Sequence, residues 1–120
     1  SDHFMEMLNS NTGSDEDIHW REARDNGWFS YLMKTQTDTV AQIRIVYKGL
    51  PSRDATVWVN DVKVGTLTSV VSNELSISEF ALPQALQGEK QFRVKIGTAT
   101  SKTTVRIYEV RLVKNAEPTK

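Results

Sequence analysis

From Trp28 onward the chain alternates apolar and polar side chains in short runs, with Gly, Pro, Asn and Asp clusters between them. A period of two sends successive side chains to opposite faces of a strand. The pattern predicts strands over roughly 28–34, 40–48, 55–60, 62–68, 74–82, 91–97 and 103–113. Strands this short and this evenly spaced point to an all-β fold, a two-sheet antiparallel β-sandwich of jelly-roll type.

The clearest hairpin is Ala55-Thr56-Val57-Trp58-Val59, turning at Asn60-Asp61 into Val62-Lys63-Val64-Gly65. A two-residue turn there predicts Val59 opposite Val62 and Val57 opposite Val64 on one face, with Trp58 facing Lys63 on the other. In Gln91-Phe92-Arg93-Val94-Lys95-Ile96 apolar residues alternate strictly with polar and charged ones, so that strand has one wet face, and the wet face is basic. Two strands break phase: Leu75 and Ile77 give way to Phe80 and Leu82, and Val105 and Ile107 give way to Tyr108, Val110 and Leu112. A bulge or bend is expected at each break. Gln84 to Gln87 reads as a one-turn helical connection, and Phe29, Tyr31, Val94, Ile96, Val110 and Leu112 hold the apolar phase expected of the core.

The first 26 residues carry little alternation. Asn9-Ser10-Asn11-Thr12-Gly13-Ser14 is turn chemistry and Asp15-Glu16-Asp17 a solvated acidic run, so a loop is expected, with one short strand near Phe4 to Leu8. The domain expectation is a single sandwich over residues 1–114 followed by a polar tail, 115–120. No basic n-region and apolar h-region open the chain and no apolar run approaches membrane-spanning length, so membrane insertion is not expected, and an export signal would lie upstream in a longer parent.

Charge and composition narrow the function classes. Fifteen basic residues offset fifteen acidic ones, leaving no long-range field to gather nucleic acid. The chain has no cysteine, which removes disulfides, thiolate metal sites and cysteine nucleophiles together. His3 and His19 are its two imidazoles, and there is no phosphate-cradling glycine loop, nucleophile elbow or paired-histidine metal motif. No catalytic residue, metal site or cofactor is therefore assigned. Asp15, Glu16, Asp17 and Glu109 offer hard oxygen ligands of the kind calcium takes, without EF-hand spacing, and equally read as solvated acids.

The segment richest in chemistry is His19-Trp20-Arg21-Glu22-Ala23-Arg24-Asp25-Asn26-Gly27-Trp28-Phe29-Ser30-Tyr31. Aromatic faces beside guanidinium donors suit a sugar, whose CH groups stack on the ring while its hydroxyls take hydrogen bonds. Trp20, Arg21, Arg24 and Trp28 are accordingly the candidate residues for carbohydrate binding or domain docking. The structural alternative has Trp20 stapling the N-terminal loop to the sandwich, Trp28 opening a strand whose Phe29, Tyr31 and Met33 enter the core, and the arginines pairing with Glu22 or Asp25. Trp58 reads either as an exposed stacking platform or as an indole lying over the Lys63 stem.

Asn9-Ser10-Asn11-Thr12-Gly13, Trp20-Arg21-x-Ala23-Arg24, Gly27-Trp28-Phe29-Ser30-Tyr31 and Ile107-Tyr108-Glu109-Val110-Arg111-Leu112 together resemble the C-terminal accessory β-sandwich of bacterial glycoside hydrolases related to the β-L-arabinofuranosidase family, glycoside hydrolase family 127. Similar sandwiches recur in galactose-binding-like modules. Enzymes of that family act through a helical-barrel domain with a cysteine nucleophile near a cysteine-ligated zinc, so none of their catalytic residues maps onto this cysteine-free chain. The resemblance implies a non-catalytic accessory module of a secreted or periplasmic glycoside hydrolase. Its implied partners are the catalytic domain of the same parent chain and a plant-type glycan or oligosaccharide. A free-standing carbohydrate-binding module and an Ig-like or adhesin-type interaction domain are the alternatives.

Overall fold

The computed structural model describes residues 4–36, 40–68 and 74–114. Eight strands carry the fold: β1 (Phe4–Asp15), β2 (Ile18–Lys34), β3 (Val40–Lys48), β4 (Ala55–Val59), β5 (Val62–Leu67), β6 (Ser76–Ala81), β7 (Gln91–Gly97) and β8 (Arg106–Lys114). They pair antiparallel in the order β5-β4-β7-β2-β8-β3-β6, with β1 along the other side of β2. The fold is the expected jelly-roll sandwich. The expected helical connection is one turn of 3₁₀ helix, Gln84–Leu86. The expected tail, 115–120, lies outside the described residues.

The long β2 strand belongs to both layers. Its second half, Trp28–Lys34, pairs with β7, whereas its first half meets β8 at Arg21↔Ile107. Between the halves the chain bends where Asp25 and Asn26 take positive φ, 50° and 63°, a region that Asp and Asn tolerate better than most residues. Gly27 is required at this bend: a Cβ there would lie 2.5 Å from the Arg24 carbonyl oxygen and 2.6 Å from that of Leu8. The β7–β8 connection holds the bend, with the Asp25 and Asn26 amides donating to the carbonyls of Lys102 and Ala99. Thr104, fully buried, accepts the Ala23 amide on its hydroxyl at 3.0 Å and returns its own amide to the Ala23 carbonyl at 2.8 Å.

The N-terminal region corrects the expectation of a loop. Residues 4–15 form one strand, and the supposed turn residues Ser10 to Ser14 pair with Ala23 back to His19. Polar side chains dominate that stretch because β1 is an edge with little apolar surface to cover. The real turn is at Glu16-Asp17, with Glu16 at φ 58°, and the register shift at Asn9 (φ 51°) lets β1 follow the bend in β2.

The core lies between the layers, with Phe29, Phe92, Ile43, Ile45, Leu67, Ile96, Val57, Val59 and Val94 sealed from solvent. Of the expected core residues, Phe29, Val94 and Ile96 are fully buried, and Tyr31, Val110 and Leu112 pack against them partly buried. At the second phase break Tyr108 is the extra residue of a bulge, since Val46 pairs with Glu109 and Tyr47 with Ile107. The first break needs no bulge. β6 keeps one register, Leu75 and Ile77 stay outside, and Ser76, Ser78 and Phe80 take the inner side. The hairpin pairs Val59 with Val62 and Trp58 with Lys63 as expected, with Asn60 and Asp61 at φ 48° and 67°. Val57, however, pairs with Gly65, because Val64 is bulged; the Phe80 ring lies on Gly65 and closes the layers at that edge.

Candidate functional site

Alternation on β2 sends odd-numbered residues inward and even-numbered ones outward, and the bend then divides the outward set between two surfaces. Trp20 stands on the outer face of the layer containing β8, and Trp28 on that of the layer containing β7. The structure therefore does not bring Trp20, Arg21, Arg24 and Trp28 together.

Trp20 is half-buried, its ring lying against Gly13, directly across from it in β1, while the Arg106 guanidinium carbon on β8 sits 4.2 Å from the ring centroid. Arg21 turns toward the interior, donating to Ser10 Oγ at 2.8 Å and approaching Met7 Sδ at 3.4 Å. It also faces Tyr31. Burial pushes the Tyr31 phenol above its ordinary value, while Arg21 opposes that shift by its charge and a hydrogen bond. Arg24 is exposed at the bend and reaches Asn11 Oδ1 at 3.4 Å. Glu22 pairs with neither Arg21 nor Arg24 but with Arg53 at 2.9 Å and Arg106 at 3.5 Å.

Trp28 has different company. The registers of β1, β2, β7, β4 and β5 lay out two parallel rows on the outer face of this layer: Leu8, Trp28, Gly97, Thr56 and Thr66, then Glu6, Ser30, Lys95, Trp58 and Lys63. Gly97, itself buried, makes room for the Trp58 ring: a Cβ there would lie 3.3 Å from Trp58 Cζ3 and 3.1 Å from Trp28 Cβ. Both indoles are half-buried, and Leu8, 51% exposed, extends the apolar strip beside Trp28. The Lys95 ammonium lies 4.7 Å from the Trp58 ring centroid and 5.6 Å from that of Trp28. Behind it Arg93 donates to Ser30 Oγ at 3.0 Å and pairs with Glu6 at 3.0 Å.

Sequence reasoning found Trp28 and the pairing of Trp58 with Lys63, but not the union of Trp28, Trp58 and Lys95. The signal was the strict alternation of β7, which fixes Lys95 on the outer face opposite Trp58.

A second feature lies on the other layer. A hollow of about 330 Å³ is lined by Asp15, Glu16, Ile18, Lys48, Leu75 and Tyr108. Asp15 Oδ2 accepts from Lys48 Nζ at 3.4 Å and from the Tyr108 hydroxyl at 3.3 Å. The Tyr108 phenol is raised above its ordinary value by burial and then by the Asp15 charge. The acids considered for calcium do not converge: Glu109 turns to Arg111 at 3.3 Å, and among the described residues no group of three or more His, Cys, Asp or Glu is placed to hold a metal ion.

Comparison with known proteins begins with the family described as a family of unknown function, DUF6805, which the chain matches over residues 1–113. The chain belongs to this family. No curated protein matches it in sequence. Among solved structures it is similar to a mutant of the family 29 carbohydrate-binding module CBM29-2, with a TM-score of 0.65 and 10% identity over 90% of this chain and 79% of that one. A family 35 carbohydrate-binding module from Clostridium thermocellum gives a TM-score of 0.65 and 6% identity over 92% of each chain. An exo-β-1,3-galactanase from Phanerochaete chrysosporium, in complex with β-1,3-galactotriose, gives 0.67 and 13% over 93% of this chain but 27% of the enzyme. At such identities the likeness establishes the fold alone, a jelly-roll β-sandwich. Among the described residues no helix is long and apolar enough to cross a membrane.

Proposed function

We propose that this DUF6805 chain is a non-catalytic glycan-binding module whose binding face is the outer surface carrying Trp28, Trp58 and Lys95. The observation that carries the reading is the pair of half-buried indoles brought to one sheet face with the Lys95 ammonium near both rings. Such a surface offers CH–aromatic stacking to a sugar ring, while Lys95 and the Arg93–Glu6 pair beside it offer donors and acceptors for hydroxyls. The fold's likeness to carbohydrate-binding modules supports the same reading. Trp20 stands apart from this pair on the other layer, where it packs against Gly13 and Arg106, and Arg21 braces the interior near Tyr31.

The parent is a secreted or periplasmic glycoside hydrolase related to glycoside hydrolase family 127, with catalysis in a separate region. Docking on that region is a second role of the chain. It is favoured by the exposed Ile18 and Leu75 (51% and 43%) that line the hollow on the layer opposite the tryptophan pair. Affinity electrophoresis on plant polysaccharides tests the binding role. Retardation that disappears in Trp28→Ala and Trp58→Ala and persists in Trp20→Phe supports it, and equal retardation in all variants refutes it.

A further inference from the structure

Much of the cationic charge on the layer opposite the tryptophan face is paired. There, Arg44 pairs with Glu79, Lys48 with Asp15, Arg53 and Arg106 with Glu22, and Arg111 with Glu109. On the tryptophan face the outward registers place Lys34, Lys63, Arg93 and Lys95, and the one carboxylate among the described residues of those rows, Glu6, is taken by Arg93. Lys95 and Lys63 have no carboxylate partner among the described residues.

The position of Lys95 makes that charge usable. Its ammonium sits between two indoles, which attract it through their ring quadrupoles without cancelling its charge. A cation so placed stands in the plane of approach of whatever stacks on Trp28 or Trp58. A neutral sugar fills the stacking surface and leaves that charge without a counterion. A sugar with a carboxylate fills the surface and forms a charge-assisted hydrogen bond to Lys95.

The geometry points to an acidic glycan, one with uronate residues, as the ligand class of the Trp28–Lys95–Trp58 face. This rests on the glycan-binding reading of the same face, and the test separates the two. Titration calorimetry on the whole chain compares α-1,4-linked trigalacturonate with neutral galactotriose. Trigalacturonate binds roughly tenfold more tightly, as one charge-assisted bond on a half-exposed surface provides. Its affinity falls several-fold between about 20 and about 300 mM salt, while the neutral sugar's does not. Lys95→Met removes the preference and its salt dependence, and the salt series on the unmodified chain decides the matter even if that variant misfolds. Equal, salt-insensitive binding of both sugars overturns the acidic-glycan inference and leaves the glycan face standing. A preference that survives Lys95→Met overturns the role of Lys95. Binding of neither sugar at about 10 mM overturns both readings together.

Discussion

Replacing Gly13 with alanine should destabilise the protein, and the same replacement should become neutral or stabilising once Trp20 is gone. A Cβ on Gly13 would lie 2.2 Å from Trp20 Cζ2 and 2.6 Å from Cη2, so the indole must swing away. The swing uncovers about 50 Å² of ring face, worth about 1.3 kcal/mol, and loosens the Arg106 contact, worth about 0.5–1 kcal/mol. The net cost is about 2 kcal/mol. With an unfolding entropy of about 2.1 cal/mol/K per residue, this corresponds to a drop in Tm of about 8 °C for a chain of 120 residues. In a Trp20→Ala background the clash is absent, and because Gly13 does not have a positive φ, alanine costs no backbone strain and gains about 0.5 kcal/mol of strand entropy. The assay is a double-mutant cycle by thermal and urea denaturation, in which Trp20→Ala must abolish or reverse the Gly13→Ala penalty. An equal penalty in both backgrounds would refute the stacking of Trp20 on Gly13 and free that ring for a ligand.

Ile96→Ala, which empties a fully buried site, should cost about 2–4 kcal/mol, and Leu112→Ala, only partly buried, about half as much; urea midpoints check the order. Thr104→Val should cost about 1–3 kcal/mol by leaving the buried Ala23 amide without its side-chain acceptor, and unchanged stability would show that the hydroxyl does not hold the β2 bend. The Tyr31 and Tyr108 phenols are raised above the ordinary value of 10.0, so the folded protein holds protons that the unfolded chain has released. Stability is full below about pH 10 and declines as pH climbs toward the folded-state values. Tyr31→Phe should flatten that decline, as measured by urea denaturation across alkaline pH. The isolated chain should release no chromophore from aryl glycosides; turnover that copurifies with the folded protein and vanishes in Trp28→Ala would contradict a non-catalytic module.

Wherever burial imposed a pattern, the sequence could be read. The strict alternation of β7 and the Asn60-Asp61 turn set the register and placed Trp58 opposite Lys63. β1 escaped because it is a polar edge whose Asn, Ser and Thr residues look like turn formers, and pairing with β2 overrode their local preference. Leu75 and Ile77 misled because apolar residues were assumed to be inside, whereas both stay on the outer side of β6. The site was half legible for a related reason. Trp20 and Trp28, eight residues apart, share a face only on a straight strand, and the bend at Asp25-Asn26 sends them to different surfaces. The partners that Trp28 does have, Trp58 and Lys95, are 30 and 67 residues away in sequence, reached only through strand pairing.

The chain has three tryptophans, so three indole N–H resonances report separately on Trp20, Trp28 and Trp58. The most direct test of the account follows these signals during titration of the ¹⁵N-labelled chain with uronate-containing oligosaccharide. The Trp28 and Trp58 signals should shift together along one binding curve, with Trp20, on the other layer, unmoved. A shift confined to Trp20, or no shift at any indole up to about 10 mM sugar, would contradict the glycan face.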